Sequence, residues 1–66
     1  MNEQTATKIT MRARAFSNHG IGTYDMLVDV DGTVTVYDAI AGHYTICHSL
    51  SLAAQRRARK IARAAR

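Results

Sequence analysis

The sequence has no proline, a single cysteine and no long apolar run among its 66 residues. Without proline-rich or low-complexity stretches, it offers no linker that would divide it into two domains. One cysteine cannot form an internal disulfide, although a domain this short buries only about 60% of its unfolded surface and would benefit from one. No stretch approaches the roughly 20 apolar residues that cross a bilayer, and the segment MNEQTATK lacks the apolar centre of a signal peptide. We therefore expect one small cytoplasmic domain with no membrane partner.

Acidic residues are absent from the final part of the chain. All five lie within the first 38 positions, and they are Glu3, Asp25, Asp29, Asp31 and Asp38. The part up to His48 has three basic and five acidic residues, a balance of −2, whereas the part from Ser49 onward has six basic and no acidic residues, a balance of +6. Such a gradient predicts a basic surface that faces an anionic partner.

Alternation of apolar and polar side chains predicts the strands. Residues 7–15 have the period of two that is typical of a half-buried strand. Further strands are expected over Thr23 to Val30, Thr33 to Asp38 and His43 to His48.

The Asp31-Gly32 pair between the second and third strands is a strong hairpin signal. A two-residue loop would place Val28 opposite Thr35, so the apolar side chains of the two strands would point to opposite faces of the sheet. A three-residue loop with Gly32 in the left-handed conformation instead pairs Val28 with Val34. We therefore predict the three-residue loop, in which Met26 pairs with Val36.

Residues 49–66 predict a helix, because alanine, leucine, glutamine, arginine and lysine are strong helix formers and Ser49 or Ser51 can cap it. At about 100° per residue, one stripe is apolar and is formed by Ala54, Ala58, Ile61, Ala62 and Ala65. The opposite stripe is basic and is formed by Arg56, Arg59, Lys60, Arg63 and Arg66, with Arg57 at its edge. The predicted fold is α+β, with an antiparallel sheet of three to four strands and one C-terminal amphipathic basic helix packed on one face. In this single domain, residues 1–5 form a tail, 6–48 the sheet and 49–66 the helix.

Two histidines and the only cysteine fall within six residues, and they are His43, Cys47 and His48. A closed zinc site needs four donors in paired spacings, so a further ligand such as His19 or Asp38 would have to come close on folding. Cys47 beside His43 or His19 could form a thiolate–imidazolium pair, but no motif supplies an oxyanion hole. We predict structural roles for these residues, with no catalytic site, metal or cofactor.

Aromatic and apolar side chains suggest a second surface. Outward Leu27 and Tyr37, together with His43 and with Phe16 at a strand end, form a possible secondary interface that would favour a homodimer. Tyr44 is either a core residue, which we favour because it continues the alternation of Ile46, or an exposed ring that, with His43, stacks on a base or fills a protein pocket.

The stretch V-D-x-D-G-T-V-x-V-x-D, followed by A-G-H-Y-T-x-C-H-S-L-S and a basic helix, spans Val28 to about Arg63. It resembles small uncharacterised proteins of proteobacterial and phage genomes. In size, basicity and sheet-plus-helix layout, the chain is also similar to phage-encoded anti-CRISPR proteins. The resemblance implies a bacterial host cell and an inhibitor that sterically blocks a nucleoprotein complex.

The leading expectation is therefore a non-enzymatic binding protein of a phage or mobile element. Its basic helix would meet an acidic or nucleic-acid-binding protein surface, such as one on a CRISPR effector. The alternative is a small nucleic-acid-binding protein whose helix contacts phosphates. The residues predicted to bind the partner are Arg56, Arg57, Arg59, Lys60, Arg63 and Arg66.

Overall fold

The computed structural model describes residues 6–15 and 20–65. Within them the chain forms strands β1 (Thr7–Arg14), β2 (Ile21–Val28), β3 (Val34–Asp38) and β4 (His43–Thr45), followed by helix α1 (Leu52–Ala65). The strands pair in sequence order as one antiparallel sheet, and α1 packs on one of its faces. This is the predicted α+β architecture. The predictions for tail 1–5, Phe16, His19 and Arg66 lie outside the described residues.

The alternation predicted for the first strand is confirmed by β1. Ile9, Met11 and Ala13 are buried beneath α1, whereas Lys8 and Arg12 are exposed on the other side. Eight residues of β1 pair with all eight of β2, so β1 is held firmly along one side while its other side is an edge of the sheet.

The predicted three-residue loop between β2 and β3 is also confirmed. Val28 pairs with Val34, and the Asp29 amide donates to the Thr33 carbonyl oxygen at 2.8 Å, which closes the loop. Gly32 has a φ of 93°, the left-handed conformation that glycine adopts most easily. Val30 was expected to continue the second strand, but it lies in this loop and is exposed because the chain has already turned.

The fourth strand is shorter than predicted, since β4 ends at Thr45. Tyr44 pairs with Tyr37, whose side chain points away from α1, so Tyr44 lies on the open side of the sheet. The prediction that Tyr44 belongs to the core is therefore wrong. The opposite set of alternating residues faces the core, as the buried Cys47 shows, while Ile46 is exposed.

Helix α1 begins one residue after Ser51, as the capping prediction allowed. The Ser51 Oγ accepts a hydrogen bond from the Ala54 amide at 3.1 Å. Ala58 and Ala62 are fully buried, and their small side chains let the helix axis approach the sheet closely. Ile61 and Ala65 were expected in the same contact, but Ile61 is 37% exposed and Ala65 is exposed. Ile61 lies about 60° around the helix from Ala58 and so flanks the contact.

Candidate functional site

The basic residues of α1 divide into outward and inward groups. Arg56, Lys60 and Arg63 are exposed and lie at positions i, i+4 and i+7, which places them on one side of the helix. These three residues are called the outward basic face below. No hydrogen bond or ion pair within the described part of the chain engages them. Their charges are therefore available to a partner.

Arg59 does not belong to this face, although the sequence predicted it there. It is half-buried, and its Nε donates to the Gly32 carbonyl oxygen at 2.7 Å. Its Nη2 also donates to the Gln55 Oε1 at 3.3 Å. Arg59 follows the buried Ala58 by only 100°, so its side chain runs along the flank of the helix to the β2–β3 loop. Its guanidinium links α1 to the hairpin.

Arg57 occupies the opposite flank of the helix. Its Nη2 donates to the Arg12 carbonyl oxygen at 2.6 Å, which occupies a main-chain acceptor of β1. The residue is exposed, so its charge still contributes to the surface potential near β1. The six predicted partner-binding residues therefore comprise the three on the outward basic face, two that bond to the protein's own backbone, and Arg66 outside the described residues.

The electrostatics of α1 follow from the distribution of charge along the chain. No acidic residue occurs from 49 to 66, so no carboxylate of the helix itself offsets its cations. Exposed charges of one sign on a helix create a positive potential that attracts phosphate or acidic protein surfaces, and salt screens it beyond about 10 Å at 0.1 M. The outward basic face is consequently an anion-attracting surface whose binding should depend on salt.

A second surface lies on the side of the sheet that faces away from α1, called the open sheet face below. Tyr37 is 38% exposed there, and its ring meets that of Tyr44 edge to face, with centroids 5.2 Å apart and planes at 67°. Leu27 is half-buried on the same face. His43 alternates with Tyr44 and so points to the other side of β4. The structure therefore brings together two members of the predicted secondary interface, Leu27 and Tyr37, and separates the third.

Lys8, Arg12 and Arg14 are exposed on the open sheet face, and sequence analysis did not assign them to a site. Their alternation with buried residues of β1 was visible in the sequence and predicted which way they point. The alternation did not reveal that Tyr37 and Tyr44 lie on the same side of the sheet as these cations, because that depends on the register between strands.

The cluster of histidines and cysteine disperses in the structure. Cys47 is buried and its thiol donates to the Ala15 carbonyl oxygen, whereas His48 is exposed. Nδ1 of His43 lies 3.1 Å from the Tyr44 carbonyl oxygen, which accepts a hydrogen bond. Among residues 6–15 and 20–65, no three histidine, cysteine, aspartate or glutamate side chains lie close enough to hold a metal ion.

Comparison with known proteins gives no family assignment, since no family model, curated protein or solved structure matches the chain. Within the part of the chain that the structure describes, no helix is long and apolar enough to cross a membrane. The case for a function therefore depends on the two surfaces described above.

Proposed function

We propose that this chain is a non-enzymatic binding protein of a phage or mobile element. It docks the outward basic face of α1 on an acidic protein surface of a nucleoprotein complex and blocks that complex sterically, as an anti-CRISPR protein does. The observation that carries the proposal is the set of three exposed cations on one side of a helix without acidic residues, and none of the three forms a hydrogen bond or ion pair within residues 6–15 and 20–65. The resemblance to phage-encoded inhibitors in size, basicity and layout adds support.

Rigid presentation of the cations also favours binding. Ala58 and Ala62 fix α1 against the sheet, and Arg59 ties it to the β2–β3 loop. A partner therefore need not order the helix when it binds, and the entropic cost of association is smaller. Because opposite charges also accelerate encounter, association with an acidic surface should be fast at low salt.

The second candidate function is nucleic-acid binding through the same face. Phosphates are attracted by the same positive potential, so the charge of α1 does not by itself distinguish the two partners. They differ in one measurable property, since a complex with an acidic protein survives nuclease treatment.

The experiment replaces Arg56, Lys60 and Arg63 together by glutamine. Glutamine keeps the helix propensity, and these side chains are exposed, so the variant should remain folded. In bacteria with an active CRISPR system, the unmodified protein should restore phage plaques and the triple variant should not. Co-purification with the effector should be lost in the same variant and should resist nuclease in the unmodified protein.

The matched control exchanges the cations without removing charge, as Arg56→Lys, Lys60→Arg and Arg63→Lys. It should retain inhibition and co-purification, because the attraction depends mainly on charge. Equal activity of the glutamine variant and the unmodified protein would show that the outward basic face is only solvated surface. Loss of the complex on nuclease treatment would favour the second candidate.

A further inference from the structure

The open sheet face has an uneven distribution of charge. Lys8, Arg12 and Arg14 project from β1, and their partners on β2 are Leu27, Thr23 and Ile21, none of which is acidic. The one carboxylate among the paired residues of this face is that of Asp25, which accepts a hydrogen bond from the Thr10 Oγ1 at 3.1 Å. The exposed Asp29, which alternates with Leu27 and Asp25, adds a second carboxylate at the end of β2. Three cations against two carboxylates leave a small net positive charge, and the cations all lie along β1.

The cations lie in one row along β1, which Thr10 interrupts between Lys8 and Arg12. Residues on one side of a strand recur about every 6.8 Å, so Arg12 and Arg14 are adjacent members of a row that includes Lys8. Such a row can follow the successive phosphates of an extended nucleic-acid strand. Because β1 is an edge strand, the row is reached from the side of the sheet as well as from above.

Aromatic rings lie beyond the cations on the same face. Tyr37 and Tyr44 belong to β3 and β4, about 10 and 14 Å from β1 at the usual spacing of paired strands. They contact each other edge to face, and Tyr37 is exposed enough for a planar partner to reach its ring. Aromatic side chains beside a cationic track are the elements with which proteins hold single strands, as bases stack on the rings while phosphates follow the charges.

A groove extends the cationic row around the edge of the sheet. It lies between the end of β1 and the start of α1, has a volume of about 510 Å³, and is lined by Arg12, Arg14, Arg57, Ser49 and Ser51 among others. Guanidinium and hydroxyl groups both donate hydrogen bonds to phosphate oxygens. The groove thus provides room and donors where a strand that follows β1 would leave the sheet.

We propose that the open sheet face binds single-stranded nucleic acid, with phosphates along Lys8, Arg12 and Arg14 and bases stacked on Tyr37 and Tyr44. A second copy of the chain fits this face less well, because paired β1 edges would bring like charges together. An acidic peptide would satisfy the cations but would leave the tyrosine rings without a planar partner. This inference concerns a different surface from the outward basic face and does not rest on the proposed function.

The test measures binding of a fluorescein-labelled single-stranded 12-mer, oligo(dT) or oligo(U), by anisotropy at several salt concentrations. The variant Lys8→Gln, Arg12→Gln, Arg14→Gln removes the three cations, all exposed, from the face. Its affinity should fall, and the slope of log K against log salt should become shallower by about 2. The charge-conserving variant Lys8→Arg, Arg12→Lys, Arg14→Lys should keep both the affinity and the slope. Circular dichroism of each variant confirms that the fold is intact.

Stacking is tested separately at Tyr37. Tyr37→Ser should weaken binding by roughly five- to a hundredfold without changing the salt slope, whereas Tyr37→Phe keeps the ring and should bind normally. The chain has three tyrosines and no tryptophan, so quenching of its fluorescence by oligo(dT) reports an effect on tyrosine rings. That quenching should shrink in Tyr37→Ser.

Three outcomes would overturn the inference. The first is binding of the 12-mer that is undiminished in the sheet variant. The second is an equally large loss of affinity when Arg56, Lys60 and Arg63 are replaced by glutamine. That result would place the nucleic acid on the helix, or would show that binding depends on net charge alone. The third is poly-glutamate binding that equals that of the 12-mer, is insensitive to Tyr37→Ser and is lost when Lys8, Arg12 and Arg14 are replaced by glutamine, which would place an acidic peptide on the open sheet face. The first and third would leave the proposed function of α1 untouched.

Discussion

Asp31 closes the β2–β3 loop with its side chain. Its Oδ1 accepts a hydrogen bond from the Thr33 amide at 3.0 Å, next to the left-handed Gly32. The hydrogen bonds from the Thr33 backbone and side chain lower the pKa of the Asp31 carboxyl below its ordinary value of 3.8, because they favour the ionised form. An exposed carboxylate thus helps to hold the register that aligns β2 with β3.

This lowered pKa gives a pH-dependent contribution to stability. Since the pKa is lower in the folded than in the unfolded state, the contribution is complete above about pH 4 and is lost as pH falls through the folded pKa. We predict that Asp31→Asn lowers the melting temperature at pH 7 and that the difference from the unmodified protein shrinks below pH 3.8. Thermal unfolding between pH 7 and pH 2 measures this, and a difference that stays constant over that range would contradict it.

Arg59 is the residue whose role differs most from its sequence-based assignment. Its Nε donates a hydrogen bond to the Gly32 carbonyl oxygen, and the side chain is half-buried between helix and hairpin. Replacing it would remove a charge and a structural bond together. A weakened complex in an Arg59 variant would therefore not distinguish a binding residue from a stabilising one, which is why the experiments above leave Arg59 in place.

At the scale of the element, α1 depends on its first turn. The helix has no acidic residue there to offset the positive end of its dipole, so Ser51 is the main source of stabilisation for the free amides. Its Oγ accepts from Ala54, while Gln55 donates from Nε2 to the Leu50 carbonyl oxygen at 3.0 Å. These bonds set the start of the helix and thereby the direction in which its cations point.

We predict that Ser51→Ala destabilises the protein by about 1 kcal/mol, because it removes the capping oxygen. For a domain of this size, the melting temperature should fall by roughly 4–8 °C. Ser49→Ala is the matched control, since Ser49 is exposed and its hydroxyl accepts no amide hydrogen bond among the described residues, and it should be close to neutral. Urea unfolding of both variants measures the difference, and equal destabilisation would assign the cap to neither serine.

At the scale of the whole molecule, one thin core joins sheet and helix. Its centre consists of Met26, Val28 and Val36 from the sheet, and α1 contributes the small side chains of Ala58 and Ala62. The segment after β4 crosses to the helix and covers the core with Cys47 and Leu50. Native domains are stable by only about 5–15 kcal/mol, and small ones by less. The packing of Ala58 and Ala62 against the sheet is therefore a large part of what keeps this domain folded.

We predict that Ala62→Asp unfolds the domain, since it places a charge where the side chain is fully buried. Ile61→Asp, which the helical stripe in the sequence would have predicted to be equally damaging, should leave the protein folded with only moderate loss of stability. Ile61 is 37% exposed, so an aspartate there can reach water. Circular dichroism and urea unfolding measure both, and a folded Ala62→Asp would contradict the assignment of the core.

Sequence patterns among neighbouring residues predicted most of the strands and the helix correctly. The alternation in β1, the Asp-Gly hairpin with its register, and the helix with its serine cap are set by neighbouring residues, so they were readable in the sequence. The end of β4 was not, because a three-residue strand depends on pairing with β3 rather than on its own pattern. The same pairing places Tyr44 on the open sheet face, whereas alternation alone assigned this residue to the core.

The sequence by itself determined the α+β class and the concentration of positive charge in the C-terminal helix, because composition and periodicity act locally. Only the tertiary structure decided which cations are available, since that depends on the rotation of α1 about Ala58 and Ala62. Through this rotation Arg57 and Arg59 reach backbone carbonyls, while Arg56, Lys60 and Arg63 remain exposed. Tertiary structure likewise decided that Arg12 and Arg14 share a face with Tyr37, because strand register links residues that are far apart in the chain.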